Sequence, residues 1–115
     1  MEIKKASEIP GRPVDISEWN DDVKAFVKTF TFAEQLEFER LRRIFRDETA
    51  SNEERADAEV SIAIMALVDE NGEPLFTEAD RAALLDSHFM PCVRIIKMGK
   101  RDSRAFITED AADVR

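Results

Sequence analysis

The sequence is poor in the residues that supply nucleophiles, metal ligands and phosphate cradles. It has one cysteine, one histidine, no tyrosine and three glycines in 115 residues. The single cysteine, Cys92, rules out an internal disulfide and fits a reducing cytoplasm. Gly11, Gly72 and Gly99 stand where turns or caps want them and form no P-loop, dinucleotide fingerprint or nucleophile elbow. His88 and Cys92, four positions apart, would need carboxylates to complete a metal site, and Pro91 between them disturbs the helical spacing. As base and thiol nucleophile they lack an orienting third group. A buried cysteine and a surface histidine are the expected outcome. The stretch from Asp69 to Asp80 has the length of a calcium loop. An EF-hand wants its glycine sixth, however, and here Gly72 is fourth and Pro74 sixth. No catalytic, cofactor-binding or metal-binding residue is therefore expected, and the chain reads as a binding protein rather than an enzyme.

Two further scarcities narrow its surroundings. No apolar run approaches the roughly 20 residues that cross a bilayer, and no basic-then-apolar signal opens the chain. It is expected to avoid membranes and stay where it is made. Lysine and arginine number 17 against 25 acids, a net charge of −8 that argues against nucleic acid.

What is present is a water-soluble domain's worth of apolar and charged residues, 43% and 37% of the chain. Its charge is unevenly spread. Residues 47–80 carry eleven acids against Arg55 alone, whereas residues 94–104 carry five bases against Asp102. Two solvated faces of opposite sign, or a pattern that steers a partner, would each produce this distribution.

In chain order, residues 1–13 read as a flexible leader closed by Pro10-Gly11-Arg12-Pro13. Val14, Ile16 and Trp19 alternate with polar residues, Asn20-Asp21-Asp22 breaks the run, and Val23 to Phe30 is β-rich again. That pattern predicts a hairpin with Ala25 and Val27 on one face and Phe26 on the other. Thr31 and Glu34 form a capping box for a first helix. Leu36, Leu41, Ile44 and Phe45 fill a broad apolar sector of that helix, widened by Phe32 at one edge and Phe38 at the other. Gln35, Glu39, Arg42 and Arg46 lie opposite. So wide a sector serves the core, or leaves one flank for a partner through Phe32, Leu36, Phe38 and Phe45.

Ser51 and Glu54 box a second helix whose apolar positions are Ala56, Val60, Ala63, Ile64 and Leu67, with Ile62, Met65 and Ala66 between them. Its end lies in the core or turns into a strand entering Asn71-Gly72, the strongest short turn signal in the chain. Leu75 and Phe76 then run back along it, and Thr77 caps a third helix to Asp86 that packs through Ala79, Ala82, Ala83 and Leu84 or Leu85. A fourth helix spans Phe89 to Met98, with Pro91 in its first turn and Gly99 ending it. The expected architecture is one α+β domain over residues 14–99, an N-terminal β-hairpin followed by three or four helices with a tight Asn-Gly corner. Residues 100–115 are expected to form a mobile tail. Phe38, Leu41, Phe45, Val60, Ile64, Leu67, Phe76 and Leu84 are the expected core.

The stretch Ala-Leu-Val-Asp-Glu-Asn-Gly-Glu-Pro-Leu-Phe-Thr-Glu-Ala-Asp ending at Asp80 resembles the tail assembly chaperones of long-tailed bacteriophages. So does Val14-Asp15-Ile16-Ser17-Glu18-Trp19 followed by Val23, Phe26 and Val27, so that the resemblance covers Val14 to Leu85. It implies a non-catalytic protein of the infected host's cytoplasm, absent from the finished virion. Such a protein binds the tape measure protein, keeps it soluble and helps tail tube subunits assemble around it. It also implies a longer frameshifted form, for which Gly99-Lys100 is the dipeptide a slippery message would encode. Self-association without the partner is expected. A structural tail or connector protein, or a small cytoplasmic adaptor unrelated to phage, remains the alternative.

Overall fold

The structure, a computed structural model, describes residues 1–99; the expected tail and Lys100 lie outside the described residues. Three short antiparallel strands, β1 (Arg12–Val14), β2 (Ala25–Val27) and β3 (Leu67–Val68), form a sheet in that order. Among the described residues four α-helices accompany it: α1 (Phe32–Arg46), α2 (Asn52–Ala66), α3 (Arg81–Leu85) and α4 (Met90–Gly99). The α+β architecture expected from the sequence is the observed one.

The hairpin forms earlier than the alternation indicated. Arg12 pairs with Val27, Pro13 with Phe26 and Val14 with Ala25, so the boundary expected at residue 13 falls inside β1. Pro13 is tolerated because β1 is an edge strand, where a missing N–H costs no ladder bond. Part of the expected leader is ordered as well, as a 3-10 turn over Ala6–Glu8. Beyond Val14 the chain turns instead of continuing as strand. The Asp15 carboxylate accepts the Ser17 N–H at 2.9 Å, and the Ile16 carbonyl accepts the N–H groups of Trp19 and Asn20 at 2.8 and 3.0 Å. Ala25 and Val27 point into the core and Phe26 lies half-buried on the other face, as the alternation predicts.

Helix α2 passes without a loop into β3, which pairs Val68 with Phe26 and Leu67 with Val27. Both readings of its end are therefore realised: the last helical turn lies against the core, with Ala63 and Ala66 buried, and the next two residues are strand. The corner then closes. Asp69 accepts the Asn71 and Glu73 N–H groups on one carboxylate oxygen at 2.8 and 3.0 Å, and Gly72 takes φ +83°, where a Cβ is disfavoured. The Leu75 N–H returns to the Leu67 carbonyl at 3.1 Å.

Both helical capping boxes are made. Glu34 N–H donates to Thr31 Oγ1 at 3.1 Å and Thr31 N–H to Glu34 Oε1 at 2.9 Å; Ser51 and Glu54 exchange the same pair at 3.0 Å each. Helix α2 is the central element, packed by α1, α3 and α4. Of the expected core, Phe38, Leu41, Val60, Leu67 and Leu84 are buried, while Phe45, Ile64 and Phe76 are half-buried. Ile62, fully buried, takes the place expected of Ile64. Because α2 is apolar nearly all round past Val60, its phase is fixed by its neighbours and not by its own pattern.

The third helix is a 3-10 turn (Glu78–Asp80) followed by the short α3. Of Leu84 and Leu85, the former buries itself as one of the two expected alternatives, whereas Ala79, Ala82 and Ala83 are exposed, contrary to the packing expected of them. So short a helix buries one residue and is anchored to α2 by a polar side chain instead. Arg81 reaches Asp57 Oδ1 at 2.7 Å, Ser61 Oγ at 2.9 Å and both oxygens of Glu78 at 2.8 Å.

Candidate functional site

Helix α1 carries the residues expected to meet a partner, and the fold divides them. At about 100° per residue, Phe38, Leu41 and Phe45 fall within ~60° of one another, while Phe32 and Leu36 lie within ~40° of each other on another side. The first group faces inward: Phe38 is fully buried, Leu41 buried and Phe45 half-buried against the core. Phe32 and Leu36 face out, 89% and 71% exposed. The single broad sector is thus two surfaces, and Phe38 is not available to a partner. Its ring instead packs beside Phe30, with centroids 5.6 Å apart.

The polar residues assigned to the opposite face adjust accordingly. Gln35, Glu39 and Arg42 are half-buried. Gln35 Nε2 donates to Glu39 Oε2 at 3.1 Å and to the Gly99 carbonyl at 3.4 Å, and Arg42 Nη2 donates to Glu39 Oε1 at 2.8 Å. Arg42 and Glu39, both on the face opposite the apolar sector, thus form an ion pair. Arg40, roughly a turn beyond Leu36, pairs with Glu37 at 2.7 Å in an exposed ion pair of small energetic value. The outward stripe of α1 therefore begins apolar at Phe32 and Leu36 and becomes basic at Arg40 and the exposed Arg43. At its far end the Phe45 carbonyl accepts Arg55 Nε at 2.8 Å, which ties α1 to α2.

His88 and Cys92 are placed apart in role. The exposed His88 accepts the Met90 N–H on Nδ1 at 3.1 Å and so caps α4, with its ring stacked on Phe89 at 5.0 Å. Cys92 is buried, and burial, with the charge of Glu59 adding to it, pushes its thiol up to about 12. Glu59 is itself raised by burial. A thiol so protonated is a poor nucleophile. Among the described residues no group of three or more His, Cys, Asp or Glu is placed to hold a metal ion. Asp69, first residue of the calcium-length stretch, spends one carboxylate oxygen on the backbone of its own corner. No described helix is long and apolar enough to cross a membrane.

One feature escaped the sequence reading. Trp19 and Phe76, far apart in the chain, meet edge to face with centroids 5.7 Å apart beside an open cleft. Trp19 Nε1 donates to the His88 carbonyl at 2.7 Å, which fixes the indole. The one available signal was a lone tryptophan set in the turn-forming run Glu18-Trp19-Asn20-Asp21-Asp22. No family model, curated protein or solved structure matches the chain.

Proposed function

We propose that the protein is a non-catalytic phage tail assembly chaperone of the host cytoplasm, which binds the tape measure protein and keeps it soluble while the tail tube assembles. The observation that carries this reading is the outward pair Phe32 and Leu36. Two large apolar side chains one turn apart, directed away from the core their own helix builds, are what recognition of an amphipathic helix requires. Exposing them costs the free protein solubility unless something covers them. The acid-rich span over residues 47–80 supports the same reading, since like-charged coats on a long partner repel one another. The order of motifs in the resemblance to tail assembly chaperones supplies the partner's identity.

The test is co-expression with the tape measure protein encoded nearby. Tape measure that is insoluble alone is expected to become soluble and to co-purify with this chain. Tape measure that stays insoluble, with this chain eluting as a separate monomer, would return the protein to the adaptor class.

A further inference from the structure

A second surface lies away from α1, none of whose residues contributes to it. A cleft of about 370 Å³ opens between the β1–β2 connection and the segment from Leu75 to His88. Its apolar lining is Ile16, Trp19, Val23, Leu75, Phe76 and Leu84, with the small Ala83 beside them. Ile16 and Leu84 form the buried floor, Trp19, Leu75 and Phe76 are half-buried, and Val23 stands exposed at the edge. The exposed Phe89 stacks on the lining residue His88 and extends the apolar rim. The space suits one large side chain with part of its backbone.

The charge around it is predominantly acidic. Glu18 and Asp80 line the cleft, and no lysine or arginine is among its described lining residues. Asp21 and Asp22 stand exposed between the lining residues Asn20 and Val23. Arg94 grips both oxygens of Glu18 at 2.6 Å and so neutralises that carboxylate, Arg81 is shared by Asp57 and Glu78, and the exposed Lys24 follows Val23, which leaves Asp21, Asp22 and Asp80 as a surplus of negative charge. An apolar slot with an acidic rim complements an apolar anchor flanked by positive charge.

We propose that this cleft is a docking site for a basic peptide segment of a partner protein, whose phenylalanine or leucine side chain enters between Trp19 and Val23. The site is independent of the α1 stripe, so either can fail alone.

Trp19 is the only tryptophan in the chain, so its fluorescence reads the cleft directly. The full chain is titrated with a synthetic peptide carrying one phenylalanine between paired lysines. Two counterparts follow, one with glutamate for every lysine and one with serine for the phenylalanine. A saturable change is expected with the first peptide, with binding by each counterpart about tenfold weaker or more. Ala83→Arg places a cation in the lining from an exposed helical position and is expected to abolish the change while leaving the circular dichroism melt unaltered. The double variant Asp21→Lys/Asp22→Lys, remote from the packed core, is expected to weaken the lysine peptide alone. Equal binding of lysine and glutamate peptides, or binding indifferent to Ala83→Arg, overturns the proposal. So do two other occupants. A second copy would show as concentration-dependent shielding of Trp19 that Ala83→Arg removes. The chain's own end would show if Phe106→Ser increased quenching of Trp19 by acrylamide.

Discussion

Gly99 lies flat against the ring of Phe38: a Cβ built there would stand 2.6 Å from Cε1 and 2.7 Å from Cζ. Phe38 is fully buried and cannot swing aside, so the glycine is required by the close approach of α4 to α1. Gly99→Ala gains up to about 1 kcal/mol of helix propensity but overpacks a rigid ring, for a net loss of about 1–2 kcal/mol. Urea denaturation checks the loss, and Phe38→Leu in the same chain should recover part of it. Wild-type stability in Gly99→Ala would mean that α4 does not press on α1 as described.

A second expectation concerns acid. Two hydrogen bonds from the Arg94 guanidinium, with a backbone bond adding to them, hold Glu18 down to about 2 from its ordinary 4.5. A carboxyl depressed on folding stabilises the native state above its unfolded pKa, and that contribution is lost as pH falls from about 4.5 to about 2. Arg94 Nη1 also donates to the Asp15 carbonyl at 3.0 Å, so the pair clasps α4 to the turn after β1. Glu18→Gln is expected to lower stability at pH 7 and to flatten the acid limb of stability in that window. Parallel wild-type and variant curves across it would show the clasp to be energetically idle.

Cys92 provides a third measurement. With its thiol pushed up to about 12 by burial, it is neither ionised nor accessible in the native state. Labelling by a thiol reagent at pH 7–8 should be slow in the native protein and rise in step with unfolding as urea is added. Prompt labelling without denaturant would place Cys92 at the surface and dismantle the packing assigned to α4.

What the sequence disclosed of this fold was local. The caps at Thr31 and Ser51, the Asn71-Gly72 corner and Pro91 in the first turn of α4 each depend on residues within one turn of one another, and each is formed. What it hid depends on partners. Strand β3 is two residues long and exists only because β2 offers it a ladder. Ile62 and Ile64 exchange places in the core because the second half of α2, apolar nearly all round, has no phase of its own. The contact of Trp19 with Phe76 joins residues that no periodicity relates. On α1, one pattern of apolar residues fitted both a wide core face and two separate faces, and only the packing of α2 and α4 against Phe38 decides between them.

That division of α1 yields the prediction that bears most directly on function. Leu41 is 6% exposed in the core, so Leu41→Ala should cost about 2–5 kcal/mol and weaken every property of the protein together. Phe32 and Leu36 make no such contribution at 89% and 71% exposure, so Phe32→Ser/Leu36→Ser should leave stability within about 0.5 kcal/mol of wild type for each change. If the proposed function holds, the same double variant removes the apolar stripe that would meet a helical partner, and the tape measure protein should stay insoluble on co-expression with it. Any self-association of the free chain should fall with it, since the same side chains would mediate both. Thermal melts, sedimentation and co-purification on these two variants separate the possibilities. A double variant that melts like wild type and still solubilises the tape measure would move recognition off α1. One that melts far below wild type would mean that these two side chains are buried after all.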